Sequence, residues 1–157
     1  MAEALRVIVH GVDQLDKTLG VYAARLKRPF RKTDARRRVT SYVNKEASRQ
    51  IKHGQRGDYA RLSPRYAKWK HRNYPGRPLL VITGRTVRSI TDHTSGDFHD
   101  KVKHGGRTME VGSNYPIAAY HQKGTRHMPA RPLFRMTRRV AERMAEVISD
   151  ALTTGLK

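Results

Sequence analysis

Eight histidines and thirteen Asp and Glu residues are the side chains of this 157-residue sequence that could hold a metal ion or carry a proton. A basic nuclease would need Glu110, Asp97 or Asp100 to hold a metal near the histidines, but no ligand cluster of that kind is visible. No histidine pair fits a helical HExxH, and with no cysteine a zinc site would need ligands from separate segments. His99 and His104 flank a hairpin and His121 and His127 flank a loop, so each reads as a surface or hydrogen-bonding residue. Ser63 or Ser89 as a nucleophile would need an activating base and an orienting acid, and the scattered acids offer none. There is no Walker lysine loop and no GxGxxG. The chain therefore reads as non-enzymatic, with no catalytic, cofactor-binding or metal-ligating residue.

Anion binding is the chemistry the sequence favours. Lys and Arg number 33 against 13 acids, a formal charge of +20, well beyond what solubility requires. A partner should neutralise part of it: nucleic acid, an acidic protein surface or an anionic membrane. Arg38, Lys45, Arg49 and Lys52 stack on one side of a predicted helix, either as a solvated face or as a contact for DNA or an acidic partner. Arg135, Arg138 and Arg139 crowd the first turns of a later helix, where the dipole disfavours cations. A bridge from Arg138 to Glu142 or an external anion would offset this. Tyr59, Tyr66, Trp69 and Tyr74 lie among basic residues, yet Tyr66 and Trp69 at helical spacing fit core or interface better than base stacking. No helix-turn-helix, zinc-finger or RNP-type pattern appears, so nucleic-acid binding would be to phosphate and independent of sequence.

The segment Tyr115–Phe134, YPIAAYHQKGTRHMPARPLF, has the composition of a docking element. Ala118, Ala119 and Tyr120 offer a short apolar face, His121 and Gln122 are a polar pair, and Gly124 ends the turn. Pro129 and Pro132 stiffen the chain around Ala130 and Arg131, ahead of Phe134, and predict an arm that contacts a neighbour.

These residues need elements to place them. The length fits one domain over 1–157, without a repeat or long linker. The apolar run at the start is too short and too alternating for a signal peptide, and no stretch reaches the roughly 18 apolar residues of a membrane span, so a soluble protein made in the cytoplasm is expected. Leu5–His10 alternates like a strand. A helix capped by Asp13 follows, with Leu15, Leu19, Tyr22 and Leu26 at helical spacing up to Pro29. A second helix, from about Thr33 to His53, carries Val39, Val43, Ala47 and Ile51 on one ridge. Ser63 and Pro64 open a helix towards Arg72, and Thr83 caps a short one holding Val87 and Ile90. Gly105 and Gly106 form a two-residue hairpin turn that pairs His104 with Arg107, Lys103 with Thr108, Val102 with Met109 and Lys101 with Glu110. Met136, Val140, Met144, Val147, Ile148 and Ala151 mark a last helix ending near Leu152. The fold class is α+β: a small antiparallel sheet with a hairpin, packed against several helices that include a long N-terminal pair and a C-terminal helix.

Four separated pieces, LSPRYAKWK at Leu62–Lys70, LLVITGRTVRSI at Leu79–Ile90, MEVGSNYPIAAYHQKG at Met109–Gly124 and MPARPLF at Met128–Phe134, together with the opening LRVIVHGVDQLDKTL, resemble the phage virion morphogenesis family of tail-completion proteins. The match falls on Leu62, Ser63 and Pro64, on Thr83, Gly84 and Ser89, on His121, Gln122 and Gly124, and on Pro129, Ala130, Arg131 and Pro132. The resemblance implies structural or interfacial roles for these residues. It further implies a virion protein of the neck or tail terminus that forms a ring, by analogy with the tail hexameric, and joins tail to head. Its partners would be copies of itself, neighbouring neck or connector and tail tube or terminator proteins, and packaged DNA in the lumen, with no membrane and no cofactor. The alternative is a sequence-independent nucleic-acid-binding protein.

Overall fold

The computed structural model describes residues 12–31 and 33–154, with side chains from Leu19 onward except that of Thr33. The strand expected at Leu5–His10 and the side chains of Asp13 and Leu15 lie outside the described residues. The elements run α1 Val12–Lys27, α2 Thr33–His53, a π-type turn at Gly54–Asp58, α3 Pro64–Asn73, α4 Arg85–Thr91, β1 Phe98–Lys103, β2 Thr108–Ser113, α5 Pro116–Lys123 and α6 Arg138–Thr153. Helices and one two-stranded antiparallel sheet make the α+β class expected from the sequence.

Helix α2 is the centre. Val39, Val43, Ala47 and Ile51 recur every four residues, and none is more than 5% exposed, as one stripe of a 3.6-residue period should be when other elements cover it. Ala47 and Ile51 join Ile90 of α4, Ala118 of α5 and Leu133 in the main apolar cluster. Helix α6 lies along α2 and buries Val140 and Leu152. Its N-cap Thr137 accepts a hydrogen bond from Val140 N at 3.3 Å.

The hairpin has the expected register, with Lys101 opposite Glu110, Val102 opposite Met109 and Lys103 opposite Thr108. Its turn is longer than two residues. Pairing stops at Lys103–Thr108, and His104, Gly105 and Gly106 all take positive φ. Gly106 is required there: at φ +102° a Cβ would stand 2.9–3.2 Å from Arg31 atoms, and its carbonyl accepts Phe30 N at 3.0 Å. Glu110 bonds the diagonal neighbours Lys103 (2.7 Å) and His99 (3.3 Å), rather than Lys101 directly opposite.

Polar side chains fix the remaining elements. Asp100 of β1 takes Arg36 Nε at 2.9 Å and Thr40 Oγ1 at 3.1 Å, which ties the hairpin to α2. Arg25 Nη1 donates to the carbonyls of Leu152 (3.0 Å) and Thr154 (2.9 Å), so α1 supplies the cation that the last turn of α6 lacks. Pro64 takes the first position of α3 as expected, but the Ser63 hydroxyl makes no capping bond. The start of that helix, Ser63 to Tyr66, is exposed, which leaves its first N–H groups to solvent. Thr83 Oγ1 accepts Arg85 N at 3.3 Å, while left-handed Gly84 occupies the cap position of α4.

The N-terminal pair is unequal. Leu19 is 55% exposed and Leu26 52% exposed, and only Tyr22 of that ridge is half-buried among described side chains. Helix α1 touches mainly α6 and leaves much of its apolar ridge uncovered. Ile51→Ala should therefore destabilise by about 2–5 kcal/mol in denaturant unfolding. Leu26→Ala should change the same measurement by no more than about 0.5 kcal/mol.

Candidate functional site

Residues 131–135 run extended through the middle of the fold, and their backbone is held by side chains where a sheet would use strands. Gln122 of α5 accepts Leu133 N (2.9 Å) and Phe134 N (3.2 Å) on Oε1 and donates Nε2 to Phe134 O (2.6 Å). Gln50 of α2 does the same for the next residue, accepting Arg135 N (2.7 Å) and donating to Arg135 O (3.0 Å). Tyr59 OH donates to Pro132 O at 2.6 Å, and Arg131 N donates to His121 O at 2.7 Å. Backbone groups that leave water need partners, and here two amides, a phenol and a helix carbonyl provide them, in part-buried bonds around Pro132 and Leu133 and in exposed ones at Phe134 and Arg135. Leu133, 2% exposed, can then sit in the core. Gly124 makes the return possible: at φ +78° its Cα faces Ala130 N, and a Cβ would lie 2.8 Å from that atom.

Arg131 is the main departure from expectation. The sequence suggests that it rides on a free arm, yet it is 3% exposed. Its Nε donates to Ala60 O (2.9 Å) and its Nη2 to Arg61 O (3.0 Å) of the same chain. The two prolines do stiffen the segment, but their extended geometry feeds it into the chain's own groove. Pro129 and Ala130 stay exposed, Pro132 is half-buried, and Phe134 packs against the core. A tight turn, closed by Thr125 N to Met128 O at 2.8 Å, carries His127 at the surface.

Between α3, the loop before α4, α5 and this segment lies a groove of about 650 Å³. Arg131, Lys70 and His121 reach it, and no Asp or Glu lines it. Lys70 is 6% exposed, and its Nζ donates to Pro78 O at 2.6 Å. Burial pushes that ammonium below the usual lysine range. Burial first, and the neighbouring Arg131 guanidinium second, hold the His121 imidazole below the usual histidine range. Its Nδ1 is buried without a hydrogen-bond partner.

The other candidates disperse. Glu110 lies against Lys103 and His99, Asp97 pairs with Arg85 at 2.6 Å, and Asp100 pairs with Arg36, so each carboxylate proposed for a metal is tied to a different cation. No group of three or more metal-ligating side chains occurs among the described residues. Ser89 is fully buried and donates to Thr86 O. Ser63 shares the groove with His121 and His127, without an acid to orient either.

The basic stripe is half neutralised. Arg38 pairs with Asp34 (2.9 Å) and Arg49 with Glu46 (2.6 Å), whose carboxyl is held below its usual range chiefly by that Arg49 hydrogen bond. Lys45 and Lys52 are exposed, without carboxylate partners among the described residues. Arg138 reaches Glu142 at 2.8 Å, the local bridge anticipated from sequence, while Arg139 is exposed and unpaired among the described residues. Tyr59 is buried and unavailable for stacking. Trp69 is exposed, stacks on Tyr66 at 5.3 Å and meets Tyr74 edge-on at 5.6 Å.

Sequence reasoning missed Gln50 and Lys70. A periodicity signal was present for both: Gln50 follows Ala47 by three residues, and Lys70 follows Ala67 and Tyr66 by three and four, which puts each on an inward edge of its helix.

Gln122→Leu should destabilise the chain by about 1 kcal/mol, since most of the bonds it removes are exposed, and Arg131→Met by roughly 1–3 kcal/mol, since it strands the part-buried carbonyls of Ala60 and Arg61. Denaturant unfolding checks both. Because the folded-state pKa of His121 is depressed, the unfolded chain binds its proton first, so stability is fully present above pH ~6.5 and falls as pH drops through that value. In His121→Leu the difference in unfolding free energy across that window should shrink.

Among the described residues no helix is long and apolar enough to cross a membrane. No curated protein and no solved structure matches the chain at a significant level. The model of the phage virion morphogenesis family does match, over residues 13–153. That span covers the groove, both glutamine clamps and the paired helices α2 and α6, and the chain belongs to the phage virion morphogenesis family, with a structural or assembly role in the virion.

Proposed function

We propose that the protein is a non-enzymatic component of the phage neck or tail terminus, which assembles with copies of itself into a ring, hexameric like the tail, that completes the tail and joins it to the head. The observation that carries this reading is α1. Leu19 and Leu26, seven residues apart on one face of the helix, are both about half exposed, and large apolar side chains collected on one face are what a subunit contact requires. Burying one leucine fully contributes roughly 1.5–3 kcal/mol, so a few such residues per contact, repeated around a closed ring, are enough to matter. In a ring each contact joins two different patches of identical subunits. Helix α1 would then meet another face of the next copy.

The positive charge has two outlets in such a ring, the DNA in the lumen and the acidic faces of neighbouring neck or tail proteins. Lys45, Lys52, Arg135 and Arg139 are the exposed candidates for either. They also support the second reading, a sequence-independent nucleic-acid-binding protein, for which steep loss of duplex affinity with added salt is the signature.

Electron microscopy of the purified protein and of particles tests the first reading. Rings in solution and a ring at the neck or tail end are expected, and a monomer missing from virions would sink the proposal. Leu19→Ser with Leu26→Ser should leave thermal unfolding of the subunit unchanged within about 0.5 kcal/mol. The same pair should shift the protein from ring to monomer in analytical ultracentrifugation.

A further inference from the structure

The groove beside Arg131 holds buried cationic donors in excess of the acceptors around them. Arg131 uses Nε and Nη2 on two carbonyls and leaves Nη1 without a partner among the described residues. Lys70 has three ammonium hydrogens and one hydrogen bond. His121 adds a buried Nδ1 with no partner. Around them the walls are mainly apolar, with Tyr66, Leu80 and Ile117 among them, Arg61 and His127 add exposed basic side chains at the edge, and no Asp or Glu lines the space. Tyr66 and Ile117 are 40% and 42% exposed, so the mouth is open and offers apolar surface, while the buried charges of Arg131 and Lys70 lie at its base.

We infer that this groove is a docking site for a segment of a second protein in which an Asp or Glu side chain is flanked by apolar residues, the carboxylate meeting Arg131 and Lys70 and the apolar neighbours covering Tyr66, Leu80 and Ile117. A carboxylate accepts several hydrogen bonds at once, and charge-assisted bonds to a guanidinium are among the stronger ones available. The occupant is protein rather than nucleic acid. Phosphates of a duplex run along a charged exterior and meet exposed cations, whereas Arg131 and Lys70 are 3% and 6% exposed behind apolar walls.

The acids among the described residues also favour a different protein over a second copy of this chain. Of the acids whose side chains are described, Asp34, Glu46, Asp58, Asp97, Asp100, Glu110, Glu142 and Glu146 already contact basic side chains within the chain. Asp92 accepts from Thr94 N and Oγ1, and Asp150 lies near Arg143. The site does not depend on ring formation, since no residue of α1 lines it.

The test uses the full-length protein and a yeast-displayed library of randomised heptapeptides embedded in a longer chain, so that no free C-terminus is offered. Enriched sequences should carry Asp or Glu beside Leu, Ile, Phe or Tyr. In fluorescence anisotropy, Asp→Asn or Glu→Gln in the best peptide should weaken binding at least about tenfold, the loss expected when one charge-assisted contact is removed. Ile117→Glu, an exposed change near the start of α5 that the helix dipole tolerates, should weaken it equally with the melting curve unchanged. Lys70→Met provides the second variant. Enrichment without an acidic residue, binding that Ile117→Glu leaves intact, binding that requires a free C-terminal carboxylate, or displacement by a short DNA duplex would each overturn the proposal. So would loss of self-association in Ile117→Glu with no peptide enriched, because the groove would then belong to the contact between copies.

Discussion

A segment with no neighbouring strand carries Arg131 and Leu133 into the interior of this protein, and the need to give its peptide groups partners on the way is the constraint on which the rest depends. A peptide N–H or C=O taken from water without a partner costs on the order of 1–3 kcal/mol, so the buried part of the segment could not lie where it does unsupported. Gln122 and Gln50 answer for three N–H groups and two carbonyls, because a primary amide carries a donor and an acceptor side by side, as a strand edge does. Once the segment is held, Leu133 completes the apolar cluster around Ala47 and Ile51. The same path carries Arg131 to the floor of the groove. Packing and site therefore share one cause.

Charge is organised by the same need for partners. A chain of formal charge +20 has few acids, and most of the described ones are used to join elements or to quiet a nearby arginine. Asp100 joins β1 to α2, and Asp97 joins the start of β1 to α4 through Arg85. Exposed pairs of this kind contribute little stability, about 0–1 kcal/mol, so their main effect is to fix orientation. The two buried cations have no acid among the described residues. Arg131 and Lys70 are held by carbonyl dipoles, which partly compensate a buried charge and leave it attractive to an incoming carboxylate.

Much of the fold was legible in the sequence, and physics explains which parts. The α2 ridge, the hairpin register beyond the unformed His104–Arg107 pair, and the α6 stripe from Val140 on are local periodicities that one partner surface suffices to make real, whereas Met136 lies ahead of the helix, 60% exposed. The direction of the Pro129–Pro132 segment was not legible. Prolines restrict φ whether the chain points away from the body or back into it, and the deciding contacts join residues about 70 to 85 positions apart, such as Arg131 with Ala60 and Gln50 with Arg135. Helix α1 failed differently. Its leucine spacing predicts a face that wants burial but not whether the cover belongs to the same molecule, and among the described residues that cover is missing. His121 and Gln122 stood out by their types, but their roles depend on Phe134 and Arg131 coming to them.

The uncovered face and the groove lie on different elements, α1 on one side and α3 with α5 on the other, and they differ in the force that would fill them. Burial of Leu19 and Leu26 is driven by removing apolar surface from water, which salt does not screen. Docking at Arg131 and Lys70 adds a charge term whose strength depends on exclusion of water, since the same pair in bulk solvent would be worth about 1 kcal/mol at 4 Å. A partner must therefore seal the apolar mouth before its carboxylate gains much at the base, and acidity alone would not select it. A surface that rewards charge only after apolar closure discriminates against DNA, whose phosphates come without an apolar flank. If the protein works beside packaged nucleic acid, as proposed, that requirement would keep one site for protein while the exposed lysines and arginines met the DNA.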